Sequence, residues 1–191
     1  MKAYIAKVES TTPIIFSRQL DIKQFPKLER EQAGDYDERL WQDKAHWTPD
    51  GTVLIPAVYF KRALEECAQY LGIQIPGKGK STYTKHFLSG VQILGTGIDT
   101  GVTRDGISSV AISCNADGKR GSGCRVTRRF PTLSKWSGEL TILVVDEIIT
   151  ETVLREHLDK AGMLIGIGSF RLRKGNSSGG FKVAKMTEGK I

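Results

Sequence analysis

The sequence has few of the residues on which disulfide frameworks and metal centres depend. Its three cysteines, Cys67, Cys114 and Cys124, are scattered, and no pair has the CxxC spacing. An odd number of cysteines in this arrangement argues against both a disulfide framework and a zinc site. We therefore expect a cytoplasmic protein with no metal and no other cofactor.

Long apolar runs are also lacking. The first residues, MKAYIAKVES, contain no apolar core of signal-peptide length. The longest apolar runs, such as LTILVV, are far shorter than the roughly 20 residues that cross a bilayer as a helix. We therefore expect neither export nor a membrane partner.

Familiar catalytic motifs are missing as well. The sequence contains no HExxH or GxSxG motif and no cysteine–histidine signature. The remaining catalytic candidates are His46, His86, Asp35 and Asp37, each of a type that can act as an acid or a base near a phosphate. Ordinary structural roles explain these residues equally well. The sequence leaves enzymatic activity open but favours a protein that is not an enzyme.

Positive charge is what the sequence has in excess. Its 28 lysines and arginines outnumber its 21 acids, so the formal net charge is +7. Such a surplus attracts a polyanion over roughly a Debye length of 10 Å. Much of it lies in the stretch DGKRGSGCRVTRRF, which begins at Asp117 and carries five cations against one acid.

Two amphipathic helices are the clearest elements of secondary structure. After DGTVLIP, apolar residues recur at spacings of three and four from Phe60 to Leu71, and Gly72 ends the pattern. The stretch TETVLREHLDKAG has a similar periodicity, with Thr150 as the expected N-cap and Gly162 as the expected C-terminal cap. Strands are predicted for KAYIAKVE, FLSGVQIL, GELTILVVDE and GGFKVAKM.

The order of these elements approximates β-α-β-β-α-β, which is the ferredoxin-like pattern. We therefore expect an α+β fold in which two helices cover one face of an antiparallel sheet. The length suits a single domain over residues 1–191. Two insertions are expected within it. One is a long, partly helical segment over residues 17–50, and the other is a basic hairpin over residues 95–130 with SSVAISC and CRVTRRF as its strands.

The stretch GIGSFRLRKGNSSGG, from Gly166 to Gly180, combines five glycines with three cations. Glycine allows the backbone to approach a phosphate closely and to direct N–H groups at it. Arg171, Arg173 and Lys174 would then neutralise the same phosphates. An ordinary flexible surface loop is the alternative. The stretch is not a dinucleotide-binding fingerprint, because it follows a helix rather than a strand.

Two separated motifs resemble the RAMP superfamily of CRISPR-associated proteins. The stretch DGTVLIPAVYFKRALEECA is similar to the segment that opens the first helix of that superfamily, and Lys61-Arg62-Ala63-Leu64 stands in place of its KGxLR-like sequence. The stretch AGMLIGIGSFRLRKGNSSGGFKV is similar to its glycine-rich loop near the C-terminus. The resemblance implies an RRM-like core that binds RNA, as in the backbone subunits that polymerise along a guide RNA. It also implies that the two insertions act as thumb and finger between neighbouring subunits, and that Asp21, Asp35 and Asp37 lie near the region of a catalytic aspartate.

The leading hypothesis is a non-catalytic subunit that binds single-stranded RNA, or DNA, and assembles side by side along the strand. Its partners would be copies of itself and other effector subunits. The alternatives are a metal-independent RNA endonuclease of the same superfamily and an interaction protein, such as an inhibitor, carried by a phage or another mobile element. The expected nucleic-acid-binding residues are Lys61, Arg62, Lys119, Arg120, Arg125, Arg128, Arg129, Gly166, Gly168, Arg171, Arg173, Lys174 and Gly179.

Overall fold

A computed structural model describes residues 1–115, 123 and 125–189 of the chain. Within these residues the strands are β1 (Lys2–Ser10), β2 (Ile14–Ile15), β3 (His46–Trp47), β4 (Thr52–Pro56), β5 (Val91–Leu94), β6 (Gly97–Thr103), β7 (Ser108–Asn115), β8 (Arg125–Leu133), β9 (Ser137–Val144) and β10 (Phe181–Gly189). The α-helices are α1 (Ala33–Leu40), α2 (Ala57–Leu71), α3 (Thr84–Gly90) and α4 (Glu151–Lys160). The expected α+β class is confirmed. No helix in the described ranges is long and apolar enough to span a membrane.

A four-stranded antiparallel sheet with the strand order β10-β1-β9-β5 lies at the centre. Alternation along β1 buries Tyr4, Ala6 and Val8 and leaves Ile5 and Lys7 exposed. The buried residues of β1 share one hydrophobic core with the apolar stripes of α2 and α4. The sheet therefore has one face in the core and one face open.

Helix α2 begins and ends close to where the periodicity predicts. Its buried residues include Phe60, Leu64 and Cys67, and Gly72 ends the helix in the left-handed conformation with φ of 55°. Helix α4 has the expected N-cap, because the backbone N–H of Val153 donates to Oγ1 of Thr150 over 3.3 Å. Both helix predictions are confirmed in these respects.

The expected cap at Gly162 is wrong. Helix α4 continues into a π-helical turn, Ala161–Ile165, and the chain leaves this turn at Gly166, which has φ of 72°. A Cβ atom on Gly162 would lie 2.0 Å from the carbonyl oxygen of Phe181. Gly162 therefore allows close packing against β10 and does not end the helix.

The strand predicted for FLSGVQIL is only half correct. Residues from Phe87 to Gly90 belong to α3, and the strand β5 begins at Val91. Phe87 is buried against the core, and Nζ of Lys61 donates to the carbonyl oxygens of Phe87 and Leu88 over 2.7 and 2.9 Å. These bonds satisfy carbonyl groups that the last turn of a helix leaves without helical partners.

Two three-stranded sheets contain the regions expected as insertions, with the strand orders β2-β8-β7 and β3-β4-β6. The predicted hairpin strands correspond to β7 and β8, which pair from Ser108 opposite Thr132 to Asn115 opposite Arg125. β8 extends beyond the predicted hairpin and pairs with β2. The segment 17–50 contains α1 and β3. Lys119 and Arg120 lie outside the described residues.

Candidate nucleic-acid interface

A groove forms between the exposed face of α2 and the glycine-rich stretch, and we call it the arginine groove. Its volume is about 470 Å³, and its lining residues are Arg62, Glu65, Glu66, Gln69, Tyr70, Arg171 and Arg173. Helical periodicity places the α2 residues of this set together, because the face that carries Phe60 and Leu64 is committed to the core. The structure thus brings the predicted cation Arg62 together with Arg171 and Arg173, which are distant from it in sequence.

The charges of the arginine groove are organised around Glu66. Nη2 of Arg171 donates to Oε2 of Glu66 over 2.6 Å, and Nε of Arg173 lies 3.7 Å from Oε1 of the same carboxylate. Each guanidinium group carries five N–H donors, so one carboxylate occupies only some of them. The groove can therefore offer further donors to a planar or tetrahedral anion.

Tyr70 gives the arginine groove an aromatic surface, and sequence reasoning did not identify it. The residue is 55% exposed, and Cζ of Arg173 lies 4.9 Å from the centre of its ring. This is the geometry of a cation–π contact. The sequence did contain a signal for it: Tyr70 lies on the polar face of the amphipathic pattern of α2, where an aromatic side chain is expected to be exposed.

The glycine-rich stretch packs against the connection between β1 and β2. The backbone N–H of Ile167 donates to Gly179, that of Gly179 donates to Pro13, and that of Ser169 donates to Ile15, over 2.7 to 2.8 Å. Gly166 and Gly179 are buried. These three amides are hydrogen-bonded within the chain, whereas the side chains of Arg171 and Arg173 line the arginine groove.

Positive φ angles explain why glycine occurs at these positions. Gly166, Gly168 and Gly179 have φ of 72°, 75° and 78°, a region that side chains disfavour. A Cβ atom at Gly179 would lie 1.8 Å from the carbonyl oxygen of Ile167. Lys174 is exposed at the end of the 3₁₀ turn Leu172–Lys174, which lies between Gly168 and Gly179.

The three hairpin arginines that the structure describes lie on β8, and Arg128 points to the face opposite that of Arg125 and Arg129. Nε and Nη2 of Arg125 donate to Ser113 on β7 over 3.1 and 2.9 Å. Nε of Arg128 lies 3.6 Å from Asp37, and Nε of Arg129 lies 2.8 Å from Glu38. These contacts join the hairpin to α1. Lys61 faces a different direction, because its ammonium group is held at the end of α3 and by Glu65 at 3.0 Å.

The four catalytic candidates each have a separate environment. Asp37 is 6% exposed and accepts a 2.6 Å hydrogen bond from Lys44, whereas Asp35 is exposed in the first turn of α1.

The two histidine candidates are each paired with another side chain. Nε2 of His46 lies 3.0 Å from the hydroxyl of Tyr59, and Nδ1 of His86 lies 2.6 Å from Oδ2 of Asp146. Burial lowers the pKa of His46, and the hydrogen bond from His86 lowers the pKa of Asp146. In the described part of the chain, no three His, Cys, Asp or Glu residues form a group suited to a metal ion.

His157 provides a pH-dependent test of the core. Its ring is 1% exposed and stacks on Phe87 with 4.3 Å between centroids, and burial lowers the pKa of His157 from its ordinary 6.5. In the unfolded chain, His157 takes up a proton near pH 6.5, whereas in the folded protein it does so only at lower pH. Protonation therefore favours the unfolded state, and the free energy of unfolding falls as the pH falls through 6.5. We expect urea unfolding from pH 7.5 to 5 to show a smaller loss of stability for His157→Leu than for the wild type. Equal pH slopes would contradict this role.

No family model matches this sequence, and comparison with curated proteins gives no match. Among solved structures, the chain is similar to a chain in the cryo-EM structure of the Type III-B Cmr-beta bound to cognate target RNA, with a TM-score of 0.58 and 15% sequence identity. The match covers 99% of this chain and 61% of that chain, so the protein spans about three fifths of the length of its structural relative.

A second match is a chain in a CRISPR RNA-guided surveillance complex, with a TM-score of 0.34, 12% identity, and coverage of 83% of this chain and 58% of that chain. This score is too low to support an argument about the fold. The first match establishes a fold shared with a chain of a CRISPR-associated structure. The resemblance to CRISPR-associated proteins that the two sequence motifs suggested is therefore confirmed at the level of the fold.

Proposed function

We propose that this protein is a non-catalytic subunit that binds single-stranded RNA through the arginine groove. The observation that carries the proposal is the convergence of Arg62, Arg171 and Arg173 beside the exposed ring of Tyr70. Guanidinium groups hold phosphates, and an exposed aromatic ring stacks on a base at roughly 1–3 kcal/mol. A groove that contains both matches the chemistry of a single strand.

We further propose that the central sheet has the ferredoxin-like, RRM-like arrangement. If β1, β5, β9 and β10 are counted as the four strands of that pattern, then α2 follows the first and α4 follows the third. The sheet order then reads 4-1-3-2 with antiparallel neighbours. The likeness to a chain in a structure that contains target RNA supports the same assignment.

Assembly belongs to the proposal as well. Copies of the protein would lie side by side along one strand, with other effector subunits at the ends. The insertion over residues 17–50 and the hairpin over residues 95–130 would act as thumb and finger between neighbours. Arg125, Arg128 and Arg129 on the hairpin, with Lys174 in its exposed turn, would add phosphate contacts to those of the arginine groove.

The variant Arg171→Ala with Arg173→Ala tests the proposal directly. We expect its affinity for a single-stranded RNA oligonucleotide to fall roughly 10- to 100-fold at 0.1 M salt, measured by fluorescence anisotropy. The slope of log K against log salt should shrink by about 1.4, because each lost phosphate contact on a single strand removes about 0.7. The matched control is Lys78→Ala with Lys80→Ala, which removes the same charge from an exposed turn outside the groove.

Tyr70→Ala separates stacking from charge. We expect it to weaken RNA binding about 5- to 100-fold while leaving the salt slope unchanged, since a base contact releases no counterions. If neither the arginine pair nor Tyr70 alters binding more than the lysine control does, the arginine groove is not the binding site. The protein can also be purified from a heterologous host and its absorbance compared at 260 and 280 nm. If the purified protein carries no nucleic acid, the interaction-protein alternative is favoured.

A further inference from the structure

A second pocket lies where the segment after β2 and helix α1 meet β8, and we call it the insertion pocket. Its volume is about 460 Å³, within the roughly 300–1,000 Å³ of small-ligand sites. Exposed Arg18 and Lys27 line its mouth, and Lys44 and Arg128 lie deeper, with side chains 9% and 33% exposed. The pocket is thus built from the insertion and the hairpin, and it is distinct from the arginine groove.

The wall of the insertion pocket has a surplus of positive charge. Four cations and one acid, Asp37, are among its lining residues, which makes the formal charge of the wall +3. Asp37 is committed, because it accepts a hydrogen bond from Lys44 over 2.6 Å and lies 3.6 Å from Nε of Arg128. Nζ of Lys44 also donates to the carbonyl oxygen of Arg129 over 3.0 Å. These contacts fix the deep cations in place, and the two cations at the mouth remain to meet an anion.

Two aromatic rings line the pocket: Tyr36 is half-buried, and Phe130, only 7% exposed, forms part of its floor. Nζ of Lys44 lies 4.9 Å from the ring centre of Phe130, and Nζ of Lys27 lies 5.8 Å from that of Tyr36. The hydroxyl of Tyr36 donates to the carbonyl oxygen of Phe25 over 2.7 Å, which orients its ring. Cations at the mouth and aromatic rings inside suit a ligand that has an anionic end and a flat aromatic end.

We propose that the insertion pocket binds one nucleotide of a single strand. Its phosphate lies beside Arg18 and Lys27, and its base lies against the half-buried ring of Tyr36. The choice of ligand rests on the proposed function, whereas the pocket itself does not. Arg18 is held at the mouth through its backbone, because its N–H donates to the carbonyl oxygen of Lys44 over 2.8 Å.

The glycine-rich stretch connects the two sites. Oγ of Ser169 lies 2.7 Å from Oγ of Ser17 at the insertion pocket, and the ring of Phe170 lies 5.1 Å from that of Phe130. The next residues along the chain, Arg171 and Arg173, line the arginine groove. Five consecutive residues therefore reach both sites, and they span no more than about 18 Å. A strand held in the groove can place a nearby nucleotide in the pocket.

Photocrosslinking tests this inference. Single-stranded RNA that carries 5-iodouridine is irradiated with the full-length protein, and the crosslinked peptides are identified by mass spectrometry. We expect a crosslink at Tyr36 in addition to one at Tyr70. The variant Arg18→Glu with Lys27→Glu should reduce the crosslink in the pocket at least tenfold and leave that at Tyr70. The control Lys78→Glu with Lys80→Glu makes the same change in net charge on an exposed turn.

Titration with UMP, and with inorganic phosphate as a comparison, separates this inference from the proposed function. The pocket is supported if UMP binding is lost in Arg18→Glu with Lys27→Glu and retained in Arg171→Ala with Arg173→Ala. This holds even if the arginine groove binds no strand. Crosslinks confined to Tyr70, with the Arg18/Lys27 variant equal to its control, would overturn the pocket and leave the groove intact. Equal affinity for phosphate and UMP would also overturn it, because the base would then contribute nothing. Saturation by polyglutamate but not by UMP would replace the nucleotide with an acidic protein segment.

Discussion

Replacing Asp37 with alanine is expected to lower the free energy of unfolding by about 3–5 kcal/mol, the loss typical of a buried charge whose partner is removed. The side chains of Asp37 and Lys44 are each only 9% exposed, and they are joined by a 2.6 Å hydrogen bond. Without Asp37, the ammonium group of Lys44 remains buried beside the carbonyl oxygen of Arg129, at 3.0 Å, and has lost its carboxylate partner. Urea unfolding at pH 7 measures the loss.

Two further variants separate the ion pair from the charge. Asp35→Asn removes a carboxylate from the exposed part of the same helix and is expected to cost no more than about 1 kcal/mol. Asp37→Leu combined with Lys44→Met replaces the buried pair by apolar side chains and is expected to recover most of the lost stability. If Asp37→Ala were as stable as the wild type, the structural role assigned to Asp37 would be wrong.

The buried ion pair of Asp37 and Lys44 also bears on the endonuclease alternative. Asp37 was a catalytic candidate because the resemblance placed it near a catalytic aspartate, but a carboxylate that neutralises a buried lysine has little freedom to serve as a general acid or base. Asp35 is exposed and keeps that freedom. If a single-stranded RNA were cleaved in EDTA, loss of cleavage in Asp35→Asn with unchanged stability would support catalysis. Loss only in Asp37→Ala would reflect unfolding.

The helices α2 and α4 could be predicted from the sequence because their evidence is local. Apolar residues at helical spacing, Thr150 before the first turn of α4 and Gly72 after the last turn of α2 each act within a few positions of the chain. The short segment from Phe87 to Gly90 could not be assigned in this way, since a run of four residues does not distinguish a helical period from a strand. The carbonyl oxygens of its last turn accept hydrogen bonds from Lys61, which lies 26 positions away from Phe87 in the sequence.

The candidate site could be predicted only in part, for the same reason. Arg171 and Arg173 stood out because they lie among glycines. Their carboxylate partner, Glu66, lies 105 positions before Arg171, and no local pattern links the two. The role of Gly162 likewise depends on the carbonyl oxygen of Phe181. Residue types near a site can be identified from the sequence, whereas the contacts that orient them come from tertiary packing.

Gly179→Ala is the second substitution for which we expect a large effect, a loss of about 3–5 kcal/mol or a failure to fold. Gly179 has φ of 78°, and a Cβ atom there would lie 1.8 Å from the carbonyl oxygen of Ile167. Backbone atoms cannot move aside cheaply, and the N–H of Gly179 also donates to Pro13 over 2.7 Å. The substitution therefore separates the glycine-rich stretch from the β1–β2 connection.

Gly175→Ala is the matched control for this prediction, because its φ of 77° is nearly the same but no heavy atom lies within 4 Å of the added Cβ. The left-handed conformation alone should cost about 1–2 kcal/mol, so the difference between the two variants measures the backbone contact at Gly179. Thermal or urea unfolding gives the comparison, and RNA affinity is measured on whichever variants fold. If Gly179→Ala is as stable as Gly175→Ala and yet binds RNA more weakly, then Gly179 contacts the phosphates directly. If it is much less stable, Gly179 has a structural role and serves to position the stretch that carries Arg171 and Arg173.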